Sequence, residues 1–206
     1  MIHPDTYLRL ADPQRGLGVF AQKTIARGTV VWLHDELDQV LSPERVASLP
    51  DVLRAQVERY AYVNAQGSRV LCWDHARYMN HSCEPTTTSI GTTLEIARRD
   101  ILPDEELTCE YGLSYVVQGF ACQCGATGCR GKLQPTDEAS VWQRWDREAA
   151  AAFEWALGVP QPLLSVRPPR GPAPGPPGSL DEILHALRDR RVIRLPSWQN
   201  GVPGSV

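Results

Sequence analysis

The spacing of apolar residues changes character once along the chain. Up to about residue 133 the apolar stretches are short and are interrupted by glycine and proline. Gly16 and Gly18 lead into Val19-Phe20-Ala21, and Gly28 leads into Val30-Val31-Trp32. Both read as a turn feeding a strand, so residues 1–40 are expected to be β structure with turns. Residues 43–62 carry helical character. Ser42 and Pro43 mark a start, and Asp51 is a candidate cap for a second short helix running to Tyr62. Residues 70–73, 94–97 and 106–111 read as strands, the last of these as the final strand. Residues 76–86 follow neither period and predict a loop or short turn.

After Leu133 the pattern becomes helical. Trp142, Trp145, Ala149, Phe153 and Ala156 recur at steps of three and four, which predicts an amphipathic helix over about 137–157. Gly158 and Pro160 end it. Residues 160–177 hold eight of the seventeen prolines and read as a stiff linker. A last helix starts at Ser179, with Glu182 completing a capping box and Leu180, Ile183, Leu184 and Leu187 forming an apolar face. Two destinations stay open for these C-terminal helices: the core of the same chain, or a second copy in a homodimer. No internal repeat is visible.

Composition narrows the function classes. Of 206 residues, 42% are hydrophobic and 22% charged, as in ordinary globular proteins. The net charge of −3 gives no basic excess for phosphate neutralisation, so direct nucleic-acid binding is not expected. No apolar run approaches the roughly 18 residues of a membrane span, and residues 1–10 have no apolar signal core. The expected location is the cytoplasm, or the nucleus in a eukaryotic host. Six cysteines in such a chain argue against a disulfide framework, and Cys122, Cys124 and Cys129 fall at metal-site spacing. Cys72 reads as a small buried apolar residue.

Four segments carry more specific information. Arg15-Gly16-Leu17-Gly18-Val19-Phe20 is a glycine turn that lacks the third glycine of a dinucleotide fingerprint. Arg77-Tyr78-Met79-Asn80-His81-Ser82-Cys83-Glu84-Pro85 is a dense polar signature. Glu106-Leu107-Thr108-Cys109-Glu110-Tyr111-Gly112 places a tyrosine at a strand end. Phe120-x-Cys122-x-Cys124-Gly125-x3-Cys129-Arg130-Gly131 is a cysteine cluster. In this order the four resemble the SET family of protein lysine methyltransferases with a post-SET zinc segment, over residues 8–133. The chain departs from the family pattern at Thr86 (usually Asn), Cys109 (usually aromatic) and Glu110 (usually Asp). The cysteine-rich segment that precedes the domain in some relatives is missing.

The resemblance implies a mainly β fold with some helix: short curved sheets, a pseudoknot passing the Tyr111 segment beside the Asn80 loop, and a helical C-terminal extension. The resemblance up to residue 133, and apolar spacing and proline content beyond it, divide the chain into a SET domain (1–118), a post-SET zinc segment (119–133), a helical extension (134–158), a proline-rich linker (159–178) and a C-terminal helix with tail (179–206). The resemblance implies S-adenosylmethionine bound by Arg15, Gly16, Leu17, Gly18, Asn80, His81 and Tyr111, with Phe120 over the adenine, and Zn2+ held by Cys83, Cys122, Cys124 and Cys129. Tyr111, with Asn80 and His81, would serve methyl transfer to a lysine. That lysine would belong to a protein substrate, a histone or another basic protein. Tyr62 (or Tyr60) and Cys109 would line the lysine channel. A cysteine in place of the aromatic residue leaves room for di- or trimethylation. The alternative is a catalytically silent SET-fold module that binds a protein partner.

Overall fold

The computed structural model describes residues 1–114, 119–134, 139–166 and 179–195. Most of the proline-rich linker, the terminal tail and the Trp142 side chain lie outside the described residues. In chain order the first strands are β1 (Thr6–Asp12), β2 (Gly16–Ala21), β3 (Val30–Leu33) and β4 (Gln39–Leu41). Helices α1 (Pro43–Ala47) and α2 (Asp51–Tyr60) follow, then β5 (Tyr62–Val63), β6 (Arg69–Leu71), β7 (Asn80–His81), β8 (Thr87–Ile90), β9 (Leu94–Ala97) and β10 (Glu106–Cys109). The hairpin β11 (Phe120–Ala121) and β12 (Lys132–Leu133) precedes α3 (Ala139–Ala156), α4 (Pro162–Val166) and α5 (Leu180–Asp189).

The strands form one four-stranded sheet (β1-β2-β10-β7), two three-stranded sheets (β3-β9-β8 and β4-β6-β5) and the β11-β12 pair. The β1-β2 turn is shaped by Asp12, whose Oδ1 accepts the N–H groups of Gln14 and Arg15, each at 2.8 Å. Gly16 then takes a positive φ of 81°, a left-handed conformation that costs glycine little.

Several local expectations are corrected. Ser42 does cap α1, accepting the N–H of Arg45 at 3.2 Å. Asp51 caps nothing: α2 starts after Pro50 without a side-chain cap, and Asp51 pairs with Arg54 one turn on. The helix ends at Tyr60, so Tyr62 lies in a strand. In residues 76–86 the expected short turn forms, but a strand follows it. Asp74 caps a short 3-10 turn, His75–Tyr78, and β7 follows it. The strand read over 106–111 stops at Cys109, and β11 and β12 come after it. Strand β8 escapes the hydrophobic pattern because Thr87-Thr88-Ser89 is polar in composition. All four of its residues are nevertheless buried, and Thr87 and Ser89 satisfy their hydroxyls on Glu95 of β9.

The C-terminal helices cover the chain's own β3-β9-β8 sheet. Val30, Leu33, Ile90, Leu94 and Ile96 meet Ala149, Ala152, Phe153 and Ala156 of α3, Leu163 of α4, and Ile183, Leu184 and Leu187 of α5 in one apolar cluster. Gln161 secures the joint. Its Oε1 accepts the N–H of Val30 at 2.8 Å, and its Nε2 donates to the carbonyls of Gly28 and Ala156 at 2.9 Å. Gly28 is needed there, since a Cβ would stand 2.7 Å from the carbonyl carbon of Trp155. Of the two destinations left open for α3 and α5, the same chain's core is the one seen. The Ser179 cap also forms, accepting the N–H of Glu182 at 3.2 Å.

Phe153 is 1% exposed at the centre of this cluster. Phe153→Ala should cost about 3–5 kcal/mol of stability. Urea unfolding followed by tryptophan fluorescence should show a lower midpoint with an unchanged slope.

Candidate active site

Strand β10 lies between β2, which it meets antiparallel, and β7, which it meets parallel. Three of the singled-out segments therefore converge. Thr108 stands opposite Asn80, Cys109 opposite His81, and Leu107 opposite Val19. Asn80 donates through Nδ2 to the carbonyl of Leu17 at 3.0 Å and to Glu106 Oε1 at 2.8 Å. Arg15 reaches the other oxygen of Glu106 at 3.1 Å. A Cβ on Gly18 would lie 2.4 Å from Glu106 Oε1 and 3.1 Å from Asn80 Nδ2, so a larger residue there would push the Glu106 carboxylate aside. Thr86, at the position where the family pattern has Asn, ties the loop to β10: its Oγ1 accepts the N–H of Thr108 at 2.8 Å.

At the end of β10 the chain turns into a second 3-10 segment, Tyr111–Ser114. The Tyr111 hydroxyl donates to the carbonyl of Met79 at 2.8 Å, and burial raises its pKa, which keeps the phenol neutral. The Tyr111 N–H donates to His81 Nδ1 at 3.2 Å. That leaves the imidazole proton on Nε2, which faces Cys83 Sγ at 3.3 Å. Burial lowers the His81 pKa, opposed by Glu110 and aided by Arg130, so the ring is neutral at pH 7. Arg130 clamps Glu110 with both carboxylate oxygens at 2.7 Å, and its Nε contacts Cys83 Sγ at 3.4 Å.

The cysteines gather beside this pair. Cys122 Sγ lies 3.8 Å from Cys83 Sγ and 3.7 Å from Cys129 Sγ. A tetrahedron with Zn–S bonds of ~2.3 Å has edges of roughly 3.8 Å, so the spacing fits zinc thiolates. Backbone N–H groups of Cys83 and Arg130 point at Cys124 Sγ and Cys83 Sγ at 3.4 Å. Burial raises the Cys124 thiol, but the N–H groups of Cys83 and Ala126 outweigh it and hold the thiol down to about 7. His81, Cys83, Cys122 and Cys124 also place ligand atoms within 4.8 Å of one another, which makes five donors for four positions. The Tyr111 N–H on Nδ1 and the proton on Nε2 leave His81 no free lone pair. Cys129 is not in that mutually close set and joins the cluster through Cys122 Sγ.

A cavity of about 540 Å³ opens next to Tyr111. Tyr60, Tyr62, Cys109, Tyr111 and Phe120 are on its wall, as are Trp32 and Cys72. Tyr62 is held by its hydroxyl on the carbonyl of Thr92 at 2.8 Å and edge-on against Trp32, with ring centroids 5.7 Å apart. Phe120 is 42% exposed at the mouth and meets Tyr111 at 6.3 Å. Arg15, Gly16, Leu17, Gly18, Asn80 and His81 are not on this wall; Arg15, Leu17, Gly18 and Asn80 gather around Glu106, and Tyr111, which is on the wall, bonds Met79 and His81, the residues on either side of Asn80. Sequence reasoning missed Glu106, the Glu110–Arg130 clamp and Glu95. The first two sit within motifs that had been singled out. Glu95 sits in a strand read only as apolar, where a carboxyl among apolar neighbours was the available signal. It also lines the cavity.

Residues 16–112 match the family model described as SET domain. Among curated proteins, the chain is 33% identical over 69 residues to "Histone-lysine N-methyltransferase SETD1" of Drosophila melanogaster, covering 30% of this chain and 4% of that protein. It is 27% identical over 139 residues to "Histone-lysine N-methyltransferase ATX2" of Arabidopsis thaliana, covering 59% and 12%. To ASHH3 of the same plant, also a histone-lysine N-methyltransferase, it is 40% identical over 68 residues, covering 28% and 18%. The chain thus spans less than a fifth of the length of these relatives. Among solved structures, SUVH6 of Arabidopsis thaliana in complex with SAM aligns at a TM-score of 0.49 and 21% identity, covering 65% of this chain and 33% of that one. The methyltransferase domain of human SETMAR aligns at 0.45 and 19%, covering 65% and 58%.

Burial pushes the Glu95 carboxyl from an ordinary 4.5 up to about 7, against the hydrogen bonds from Ser89 and Thr87. The folded state thus keeps a proton that the unfolded chain releases. This contribution to stability is complete below about pH 4.5 and is lost as pH rises through about 7. Urea titrations across that window should show a decline in unfolding free energy that is shallower in Glu95→Gln.

Proposed function

We propose that residues 16–112, which match the SET domain model, form a SET domain, and that this chain transfers the methyl group of S-adenosylmethionine to a lysine amine on a protein. The observation that carries the reading is that Tyr111, on an aromatic-walled cavity, bonds Met79 and His81 on either side of Asn80, whose side chain reaches the Gly16–Gly18 turn. When bound, S-adenosylmethionine supplies a methyl group on a sulfonium, open to direct displacement. The backbone of Gly16 to Gly18 and the side chains of Arg15 and Asn80 would hold its amino-acid end, with the His81 backbone and Phe120 at the adenine. A lysine entering between Tyr60, Tyr62 and Tyr111 leaves water, and desolvation favours its neutral, nucleophilic form. The Tyr111 hydroxyl sits where it orients the amine, and alignment of the reactants accounts for much of the rate.

Cys83, Cys122, Cys124 and Cys129 would hold one zinc ion, with the Nε2–H of His81 and the Nε–H of Arg130 as donors to the Cys83 sulfur. The metal would tie β11 and β12 to the Asn80–Cys83 loop and so hold Phe120 against the cavity mouth. The relatives named above are histone-lysine N-methyltransferases, and a basic, histone-like protein is the substrate class that follows. Its location would be the cytoplasm, or the nucleus of a eukaryotic host. Among the described residues no helix is long and apolar enough to cross a membrane.

Incubation with methyl-labelled S-adenosylmethionine, histones and demethylated host proteins should label lysine. Tyr111→Phe should lower the rate by about 10²-fold while cofactor affinity is kept. Cofactor binding with no labelling by the wild type would instead identify a silent binding module. Elemental analysis should find one zinc per chain. Cys129→Ser or a strong chelator should remove it and make residues 119–134 sensitive to protease, with the β1–β10 core still folded.

A further inference from the structure

Glu95 is a carboxyl on the wall of the proposed lysine cavity for which methyl transfer as described above has no use. It is 8% exposed, on the face of β9 opposite the helices, where Ser89 and Thr87 of β8 donate to its two oxygens. Cys109 of β10 shares the cavity with it. A large aromatic ring at position 109 would fill space that the cysteine leaves between the amine and this carboxyl. We propose that Glu95 is the proton acceptor for the incoming lysine ammonium, a catalytic base specific to this chain's enlarged channel. The inference rests on the methyl-transfer reading.

The hydrogen bonding around Glu95 suits both of its states. The Thr87 hydroxyl lies 2.6 Å from Glu95 Oε2 and 3.0 Å from the carbonyl of Thr108, two acceptors for one hydrogen. With Glu95 ionised, Thr87 donates to the carboxylate. With Glu95 protonated, Thr87 accepts from it and donates to Thr108 instead. Neither state leaves a buried polar atom unpaired. The Cys109 thiol of β10 and the Tyr62 phenol of β5 feel the carboxyl and are both raised by burial and neutral at pH 7, while Glu58 and Arg59 of α2, Arg69 of β6 and Arg77 line the same cavity. Among the described residues no ion pair joins Glu95 to these arginines, so an incoming ammonium can balance its charge. A carboxyl titrating near neutral pH suits a general base.

The step balances. An N–H bond of the lysine ammonium breaks and an O–H bond forms on Glu95, giving a neutral amine beside a carboxylic acid. The amine would then attack the methyl carbon as the methyl–sulfur bond breaks, leaving S-adenosylhomocysteine and a methylammonium, and Glu95 would later return its proton to water at the cavity mouth. An amine that still carries an N–H can bond Glu95, whereas a trimethylated product cannot and is released.

Wild type and Glu95→Gln should be compared in two assays. The amide can keep the bonds to Thr87 and Ser89, so fold and melting temperature should be retained. First, Nα-acetyl-lysine methylamide is titrated calorimetrically into protein loaded with S-adenosylhomocysteine, in two buffers of different ionisation enthalpy near pH 8. Wild type should bind without net proton release. Glu95→Gln should bind at least about tenfold more weakly, or release about one proton per probe. Equal affinity and proton count, or no binding to either protein, would overturn the inference whether or not the chain turns over. Second, the pH profile of lysine labelling should level off above about pH 7 in the wild type. In Glu95→Gln it should start about 10²-fold lower and climb toward the lysine pKa near 10.4. Identical profiles would sink the base while leaving the methyltransferase reading intact. A wild type that binds the probe but labels no lysine would remove that reading instead.

Discussion

The parallel pairing of β10 with β7 is the constraint on which the site depends. It joins segments about 28 residues apart through two residue pairs, Thr108 with Asn80 and Cys109 with His81. A ladder this short is not stable alone. It is held from both sides: β2 pairs with the other edge of β10, and Thr86 and Thr108 exchange hydrogen bonds beyond its end. Everything chemical follows from this register. Slipping β10 by one residue would turn Cys109 and Thr108 to the opposite faces and move Tyr111 off the Met79 carbonyl.

The cysteine cluster and the C-terminal helices solve two different problems around that pairing. The cluster lies at the end of β7 and joins the β11-β12 hairpin to it through sulfur and through the Arg130–Glu110 clamp. This brings an otherwise weak two-residue hairpin to the rim of the cavity. The helices cover the face of β3-β9-β8 that points away from the site. Without them Leu33, Ile90 and Ile96 would face water. With them, β8 and β9 become a two-sided wall that is apolar toward α3 and polar toward the cavity. Trp145 extends this support to the site: a Cβ at Gly112, next to Tyr111, would come within 2.9 Å of its ring.

The polar side of that wall faces one of the departures from the family pattern, Cys109. Cys109 widens the cavity at one point, and the carboxyl of Glu95 lines the same space with its hydroxyl partners. Burying a lone carboxyl is costly unless it is bonded, and two donors on the neighbouring strand reduce that cost.

Much of this was legible along the chain. The cysteine spacing by itself points to a metal site, whereas the glycine turn and the Asn80–Cys83 signature point to a cofactor only through their resemblance to the SET family. The spacing of Trp145, Ala149, Phe153 and Ala156 likewise settles a helix with one apolar stripe, because period 3.6 is a property of the backbone itself. The tertiary structure alone decided the rest. Strand β8 is polar by composition and is buried only because Glu95 and Thr108 satisfy it from neighbouring strands. Strand β7 exists only because β10 arrives beside it. The destination of α5 depends on a sheet face more than 80 residues earlier in the chain. The position of Glu95 beside Cys109 depends on which faces of β9 and β10 turn inward. Local patterns record what a segment can pair with, and burial, register and partner choice belong to contacts distant in sequence.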